Sequence, residues 1–141
     1  MGKLDLLREW YRRVWIEADP GAIDEYFAPR AGADGLMPDG QVSSEDFRAL
    51  VPALLSLVRN LGIDIVRHVE TEDWLWAQIT VHALPAQGVA PISAGGQIMM
   101  RIEGGKIVEA YNAFDFISFF EQAGLLPQDA FLLLLSGERM G

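Results

Sequence analysis

The chain has 141 residues, half of them hydrophobic, and a formal net charge of −9. This length allows one domain with a substantial core, and we expect residues 1–141 to form a single domain. The acidic excess argues against a nucleic-acid partner, because phosphate backbones require a basic surface, and against binding to anionic membranes. Since the chain has no cysteine, disulfides, thiol nucleophiles and thiolate metal sites are excluded.

The amino terminus lacks the apolar core of a signal peptide, and the longest apolar runs, such as residues 131–135, are far too short to span a bilayer. We therefore expect a cytoplasmic protein with no membrane partner. His68 and His82 are the only histidines, which is too few for a multi-histidine metal site. No glycine-rich phosphate loop precedes a helix. The sequence thus predicts neither a metal nor another cofactor.

The first part of the chain shows helical periodicity. Apolar residues recur at three- and four-residue spacing over residues 4–18, and the helix is expected to stop at residues 19–21. A short second helix is predicted over residues 22–27 and a longer one over residues 44–60. The intervening loop has room for a short strand around residues 35–37.

The second part of the chain has the period-two pattern of strands. Residues 63–71 and 74–84 predict two strands joined by a tight turn. Residues 85–96 are rich in Pro, Gly and Ala and predict a loop. A β-hairpin follows with its turn at residues 104–105, and its second strand leads directly into a short helix. A last apolar helix is predicted over residues 128–135.

This order of elements predicts an α+β domain. We expect a curved antiparallel β-sheet of four or five strands packed on the N-terminal helices, forming a cone around an apolar pocket. Pockets lined mainly by apolar groups, with a few polar ones, are typical sites for small ligands.

One polar residue interrupts an apolar face of the predicted hairpin. Because side chains alternate along strands, Asn112 shares its side of the hairpin with an apolar set: Ile98, Met100, Ile102, Val108, Ala110, Phe114 and Phe116. We interpret Asn112 as the polar anchor of the pocket, although a neighbouring backbone group could instead satisfy the amide.

Asp115 lies between this strand and the helix that is predicted to begin at Phe116. It is either a catalytic carboxylate or, as we favour, the cap of that helix, accepting hydrogen bonds from backbone N–H groups.

Aromatic residues of the predicted helices are further candidates for the pocket, although such residues are more often part of a core. A small hydrophobic ligand is therefore predicted to contact seven residues: Trp15, Tyr26, Ile98, Met100, Ala110, Asn112 and Phe114.

The opposite face of the predicted sheet is mixed but too apolar to be left in water. It comprises Trp76, Gln78, His82, Met99, Arg101 and Tyr111. We expect a second subunit to cover this face, giving a homodimer. Glu109 and Arg101 are placed for a cross-strand ion pair on this face, away from Asn112.

The last third of the chain resembles a known family. Residues 102–127 read IEGGKIVEAYNAFDFISFFEQAGLLP, which is similar to the SnoaL-like polyketide (ester) cyclase branch of the NTF2-like superfamily. Members have a hairpin of the form R-I-x-x-G-K-I-x-E, then an aromatic residue, an Asp and an L-x-Q-x-G helix. The matching residues are Arg101, Ile102, Gly105, Lys106, Ile107, Glu109, Asp115, Phe116, Gln122 and Gly124. The segment YRRVWIEADPGAIDEYFAP is similar to the first two helices of the family.

The resemblance implies the NTF2-like cone and an acid–base chemistry. Two residues of this chain, at the positions that this chemistry requires, do not support it. In the cyclases an Asp, assisted by a His on the preceding strand, moves protons during ring closure. The corresponding positions are Asn112 and Ile98, so both titratable groups are expected to be missing. An amide neither gives nor takes a proton at neutral pH, although its NH₂ group can donate a hydrogen bond to a carbonyl or enolate oxygen.

Three functions therefore remain open, and whether the protein is an enzyme is undecided. The first is binding of a small hydrophobic molecule, with Asn112 as anchor and without the Asp/His chemistry. The second is a cofactor-independent cyclase, isomerase or hydrolase, in which Asp115 or Glu109 enters the pocket through a β-bulge. The third is a protein-interaction module whose pocket is filled by side chains. Asn112 and Asp115 are the two candidate catalytic residues.

Overall fold

The computed structural model describes residues 2–140. Helix α1 continues directly into a π-helical segment, and a 3₁₀ turn precedes α2. In chain order the elements are α1 (Lys3–Trp10), the π segment (Tyr11–Ile16), the 3₁₀ turn (Pro20–Ala22), α2 (Ile23–Tyr26), β1 (Ala33–Met37), β2 (Gly40–Val42), α3 (Ser44–Leu55), β3 (Val58–Glu70), β4 (Trp74–Pro85), β5 (Ile92–Glu103), β6 (Lys106–Phe114), α4 (Phe116–Gln122) and α5 (Ala130–Leu135).

The strands form one unclosed sheet in the order β2-β1-β6-β5-β4-β3. The prediction of an α+β domain with a curved sheet is confirmed, but the sheet has six strands rather than four or five. All neighbours are antiparallel except β1 and β6, which run parallel with Ala33 opposite Ala110. The β1–β2 hairpin was expected only as a short strand, because its Gly, Pro and Asp residues weaken the period-two signal.

Helix α3 ends earlier than predicted. It stops at Leu55, and Val58 already pairs with Pro85 in the sheet. Short apolar runs fit either periodicity, and here pairing with β4 decides in favour of a strand. The predicted helix over residues 44–60 is therefore wrong beyond Leu55, and Gly62 lies inside β3 opposite His82.

Strand β5 begins earlier than predicted, at Ile92, so the predicted loop over residues 85–96 is too long. The last two residues of that loop, Gly95 and Gly96, lie inside the strand rather than in a turn. A Cβ at position 96 would lie 2.8 Å from Phe114 Cδ1 and 2.9 Å from the Ala113 carbonyl oxygen. Glycine at position 96 therefore allows β6 to approach β5 closely.

The hairpin turn is confirmed, but the face of β6 next to it is not as predicted. Glu103 pairs with Lys106 across the turn, and Arg101 pairs with Glu109, whereas Ile102 pairs with Ile107. Val108 is thus an extra, bulged residue, and a bulge reverses which side chains face inward. Ile107, rather than Val108, occupies the core.

The core lies between the N-terminal helices and the inner face of the sheet. At its centre Trp10 stacks on Phe27 with ring centroids 5.8 Å apart, and Phe47 meets both rings edge-on at 5.3 Å. Helix α4 is tied to β5 by the Gln122 side chain, which accepts from Ser93 N at 2.8 Å and donates to Ser93 O at 2.9 Å. Within residues 2–140 no helix has the length and hydrophobicity needed to cross a bilayer.

Candidate ligand-binding site

A cavity of about 120 Å³ lies between the helices and the sheet. One water molecule needs roughly 10–15 Å³ on this scale, so the space is large enough for an organic molecule. The lining is almost entirely apolar and aromatic, and comprises Trp10, Tyr11, Trp15, Phe27, Ala33, Leu36, Phe47, Leu54, Leu55, Val58, Leu61, Ile63, Ile79, Val81, Gln97, Ile98, Ile107, Ala110, Asn112, Phe114, Phe116 and Phe119.

Five of the seven predicted ligand contacts lie in this lining: Trp15, Ile98, Ala110, Asn112 and Phe114. Ile98 and Asn112 are directly opposite one another on β5 and β6. The two positions that the sequence resemblance aligns with the Asp/His pair of the cyclases therefore face the same space.

Tyr26 and Met100 lie outside the lining, contrary to expectation. Met100 is on the inner face but is fully enclosed by the core. The prediction missed this because alternation indicates the side of a strand on which a residue lies and not how deeply that residue is buried. The Tyr26 hydroxyl lies 3.4 Å from Arg13 Nη1, and the guanidinium carbon of Arg13 lies 6.0 Å from the centre of the ring. The arginine thus holds Tyr26 against the helical layer.

The amide of Asn112 is fixed by a backbone group of β1. Its Nδ2 donates to the Asp34 carbonyl oxygen at 3.2 Å. Because a carbonyl oxygen can only accept, the nitrogen and not the oxygen of the amide must face Asp34. Among the described residues, Oδ1 of Asn112 has no hydrogen-bond partner, so this oxygen is a free acceptor on a residue that lines the cavity.

Glycine at position 35 makes this arrangement possible. Gly35 has φ +87°, and a Cβ there would lie 1.8 Å from the Asn112 carbonyl oxygen. Only glycine combines this backbone conformation with such close approach of two strands. Gly35 therefore brings the Asp34 carbonyl within reach of the Asn112 amide.

The hydroxyl of Tyr11 is a second polar group at the cavity, and sequence reasoning missed it. The side chain is 9% exposed, and burial raises its pKa far above that of free tyrosine. Within residues 2–140 the hydroxyl has no hydrogen-bond partner. In the same part of the chain, every side-chain polar atom that is fully enclosed does have one. The hydroxyl is therefore not fully enclosed, and Tyr11 lines the cavity.

The π-helical segment that begins at Tyr11 carries two of the aromatic residues that line the cavity. Its wider turn is closed by the bond from Glu17 N to Arg12 O, at 2.8 Å. With more than four residues per turn, Tyr11 and Trp15 lie on one side, and both line the cavity. Such segments are frequent at functional sites. In the sequence, Tyr11 belongs to an ordinary apolar stripe, which is why its hydroxyl drew no attention.

Neither predicted carboxylate reaches the cavity. Asp115 is exposed and caps α4, accepting from Ser118 N at 3.0 Å. Glu109 lies on the outer face, where it accepts from Arg101 Nε at 2.5 Å and from the Tyr111 hydroxyl at 2.6 Å. The hydrogen bond from Arg101, reinforced by that from Tyr111, lowers the pKa of Glu109. The bulge in β6 thus turns Ile107 inward, and it turns no carboxylate into the cavity.

In the part of the chain that the structure describes, Tyr11 is the only titratable residue of the lining. No group of three Asp, Glu or His side chains among residues 2–140 is placed to hold a metal ion. The arrangement can enclose an apolar molecule and offer it hydrogen bonds from uncharged groups.

Comparison with known proteins identifies the family. The SnoaL-like domain matches residues 7–110, which is well over half of the chain. The chain belongs to the SnoaL-like domain family. A search of the curated protein sequences gives no match.

Solved structures share the fold of this SnoaL-like chain at low sequence identity. IdmH from Streptomyces antibioticus, a candidate polyketide cyclase, is 17% identical with a TM-score of 0.72, over 85% of this chain and 96% of its own. AclR from Streptomyces galilaeus, a candidate hydroxylase, is 21% identical with a TM-score of 0.71, over 95% and 85%. A protein from Catenulispora acidiphila with a ketosteroid isomerase-like fold is 16% identical with a TM-score of 0.73, over 88% and 95%. The predicted NTF2-like fold is thereby confirmed.

A carboxyl introduced at position 112 is expected to have a raised pKa. In Asn112→Asp the new group faces an apolar cavity and the Asp34 carbonyl oxygen, which repels a carboxylate and accepts from a protonated carboxyl. NMR titration of the introduced carboxyl carbon would measure this pKa. Ala113→Asp, on the exposed side of the same strand, should titrate normally. Equal pKa values in the two variants would show that position 112 is open to water.

Proposed function

We propose that this SnoaL-like protein binds a small hydrophobic molecule in the cavity, with Asn112 and Tyr11 as its polar anchors. The observation that carries the proposal is the pairing of an apolar cavity with two polar atoms, Asn112 Oδ1 and the Tyr11 hydroxyl oxygen, that have no hydrogen-bond partner among the described residues. A ligand that covered these atoms without bonding to them would leave them buried and unpaired, which is costly, so a ligand that satisfies them is favoured over a hydrocarbon.

Apolar contact would provide most of the affinity. Burial of ligand surface contributes roughly 25 cal/mol per Å², whereas each hydrogen bond adds about 0.5–1.5 kcal/mol. The aromatic floor of Trp10, Phe27 and Phe47 is held rigid by mutual packing, so little ordering would be needed on binding.

A second candidate is a cyclase or isomerase that acts without a carboxylate. The Tyr11 hydroxyl and the second N–H of the Asn112 amide are two donors at the cavity, and such donors stabilise an enolate oxygen. The names of related structures, such as IdmH, include polyketide cyclase. Because no carboxylate or histidine lies in the described lining, an enzyme of this kind would have to take its base from the substrate or from water.

The binding proposal can be tested with the neutral fluorescent probe N-phenyl-1-naphthylamine. One probe molecule per chain should bind, with enhanced emission, and Ala110→Phe should abolish binding by filling the cavity that Ala110 lines. Ala90→Phe, the same change at an exposed loop position, should leave binding intact. If the probe does not bind the wild-type chain, or binds the Ala110→Phe variant with the same affinity as the wild type, the cavity is not the binding site.

We also propose that the chain forms a homodimer through the outer face of the sheet. Val69, Trp76, Met99 and Tyr111 are successive cross-strand neighbours on β3, β4, β5 and β6. Together they make an apolar row across the face, and three of the four, Val69, Met99 and Tyr111, are 59%, 42% and 39% exposed. The Arg101–Glu109 ion pair lies beside this row. A face carrying both apolar groups and charges of both signs can pair with its own copy about a two-fold axis.

Replacement of Met99 by lysine should convert a dimer into monomers, because two copies of the charge would be buried at the centre of the apolar row. Sedimentation velocity at micromolar concentration would measure the change. Val89→Lys, at a loop position that is 81% exposed, should leave the dimer unaffected. A monomeric wild-type chain would contradict the interface, as would a Met99→Lys variant that remains dimeric.

A further inference from the structure

We infer that the ligand is a neutral molecule carrying both a hydroxyl and a carbonyl group, with the hydroxyl donating to Asn112 Oδ1 and the carbonyl accepting from the Tyr11 hydroxyl. This rests on the proposed function. The inference adds which anchor accepts a hydrogen bond from the ligand and which one donates. These roles follow from the hydrogen bonds that each anchor makes within the protein.

The polarity of Asn112 follows from its bond to Asp34. The 3.2 Å contact with the Asp34 carbonyl oxygen consumes one N–H and fixes which end of the amide is the oxygen. Rotation of the amide by 180° would place two oxygens face to face, so the orientation is locked. The free Oδ1 can be satisfied only by a donor. A hydroxyl is a donor that binds in an apolar lining without bringing a charge.

The polarity of Tyr11 follows from its unpaired O–H and from the donors beside it. A tyrosine hydroxyl is protonated over the physiological range, and burial raises the pKa of Tyr11 further, so the O–H is present as a donor. With no acceptor among residues 2–140, this proton is available to a ligand oxygen. The indoles of Trp10 and Trp15 are also in the lining, and their N–H groups can only donate. The donors of the helical wall therefore favour a ligand acceptor, such as a carbonyl, on that side.

The charge of the ligand follows from what the lining holds. The described lining contains no Lys, Arg or His side chain. A carboxylate or phosphate would lose its hydration without gaining a counter-charge, which is costly in such a site. Free acids are therefore disfavoured, and neutral hydroxy-carbonyl compounds fit best.

A matched series of bicyclic probes tests this assignment: tetralin, 1-tetralone, 5,6,7,8-tetrahydro-2-naphthol, 6-hydroxy-1-tetralone and 7-hydroxy-1-tetralone. Dissociation constants can be measured by calorimetry or by quenching of tryptophan emission, since Trp10 and Trp15 line the cavity. In the wild-type chain each polar group should tighten binding by about threefold to tenfold. At least one of the hydroxytetralones should bind most tightly.

Two variants assign each polar group to its partner. Tyr11→Phe should remove the advantage of 1-tetralone over tetralin and keep the advantage of the naphthol. Asn112→Leu should do the reverse. The opposite pattern would overturn the assigned polarity. A wild-type chain that binds all five probes equally would overturn the inference while leaving the binding proposal intact. No binding of any probe, tetralin included, would overturn both.

A co-crystal structure of the wild-type chain with 6-hydroxy-1-tetralone provides a readout that does not depend on the variants folding. We expect the probe hydroxyl at hydrogen-bonding distance from Asn112 Oδ1 and its carbonyl oxygen at hydrogen-bonding distance from the Tyr11 hydroxyl. The reversed pose, or a probe bound outside the cavity, would contradict the inference.

Discussion

The Gly35→Ala variant is expected to lose about 2–5 kcal/mol of unfolding free energy. An L-residue at φ +87° costs about 1–2 kcal/mol in the left-handed region. The added Cβ would also overlap the Asn112 carbonyl oxygen at 1.8 Å. Relief requires separation of β1 from β6, and overpacking of this kind typically costs about 1–3 kcal/mol. Urea unfolding followed by circular dichroism would measure the loss.

Gly105→Ala is the matched control for this change. Gly105 has a similar φ of +76°, but nothing lies within 4 Å of the Cβ that it would gain. It should lose only the backbone contribution of about 1–2 kcal/mol. The difference between the two variants therefore measures the close approach of β1 and β6. Equal losses would mean that the contact between Gly35 and Asn112 is not the constraint described above.

The Phe27→Ala variant is expected to lose about 3–5 kcal/mol. Phe27 is 1% exposed, and its ring contacts both Trp10 and Phe47 at the floor of the cavity. The two remaining rings, Trp10 and Phe47, are held by helices α1 and α3, so the rings cannot move fully into the space that the Phe27 ring leaves. The cavity should enlarge, and thermal or urea unfolding would report the destabilisation.

Phe131→Ala makes the same chemical change on a side chain that is 54% exposed. Its effect should stay within about 0.5 kcal/mol, as is usual at the surface. If Phe27→Ala were equally mild, the aromatic floor would be loosely packed and could not hold the cavity open in one shape.

The sequence was sufficient to predict the fold and the position of Asn112. Alternation along β6 from Ala110 to Phe114 places Asn112 on the apolar face, and the bulge at Val108 shifts the register so that Asn112 lies opposite Ile98. These signals are local. They depend on turn chemistry and on the period of a strand, both of which act over a few residues.

The features that sequence reasoning missed depend on distant parts of the chain. The bond between Asn112 and Asp34 joins residues that are 78 positions apart, and no local pattern predicts that contact. Tyr11 has the spacing of a core residue, and only the cavity beside it makes its hydroxyl significant. Met100 was predicted on the correct face but lies beneath the core, because depth depends on which helix covers each part of the sheet.

The sequence signal at the end of α3 was ambiguous rather than absent. Apolar residues between Leu54 and Ile63 fit both a helix and a strand, and the pairing of Val58 with Pro85 decides between them. This choice affects the site, since Val58 and Leu61 form part of the cavity wall. A continuous helix over residues 44–60 would have removed that wall from the sheet.

Native mass spectrometry of the protein purified from its own host would show directly whether a ligand occupies the cavity. We expect a wild-type chain that carries one neutral organic molecule containing oxygen, released on denaturation, and an Ala110→Phe variant that carries none. A wild-type chain that is recovered bare, or an adduct retained equally by the Ala110→Phe variant, would contradict a ligand held in the cavity by Asn112 and Tyr11.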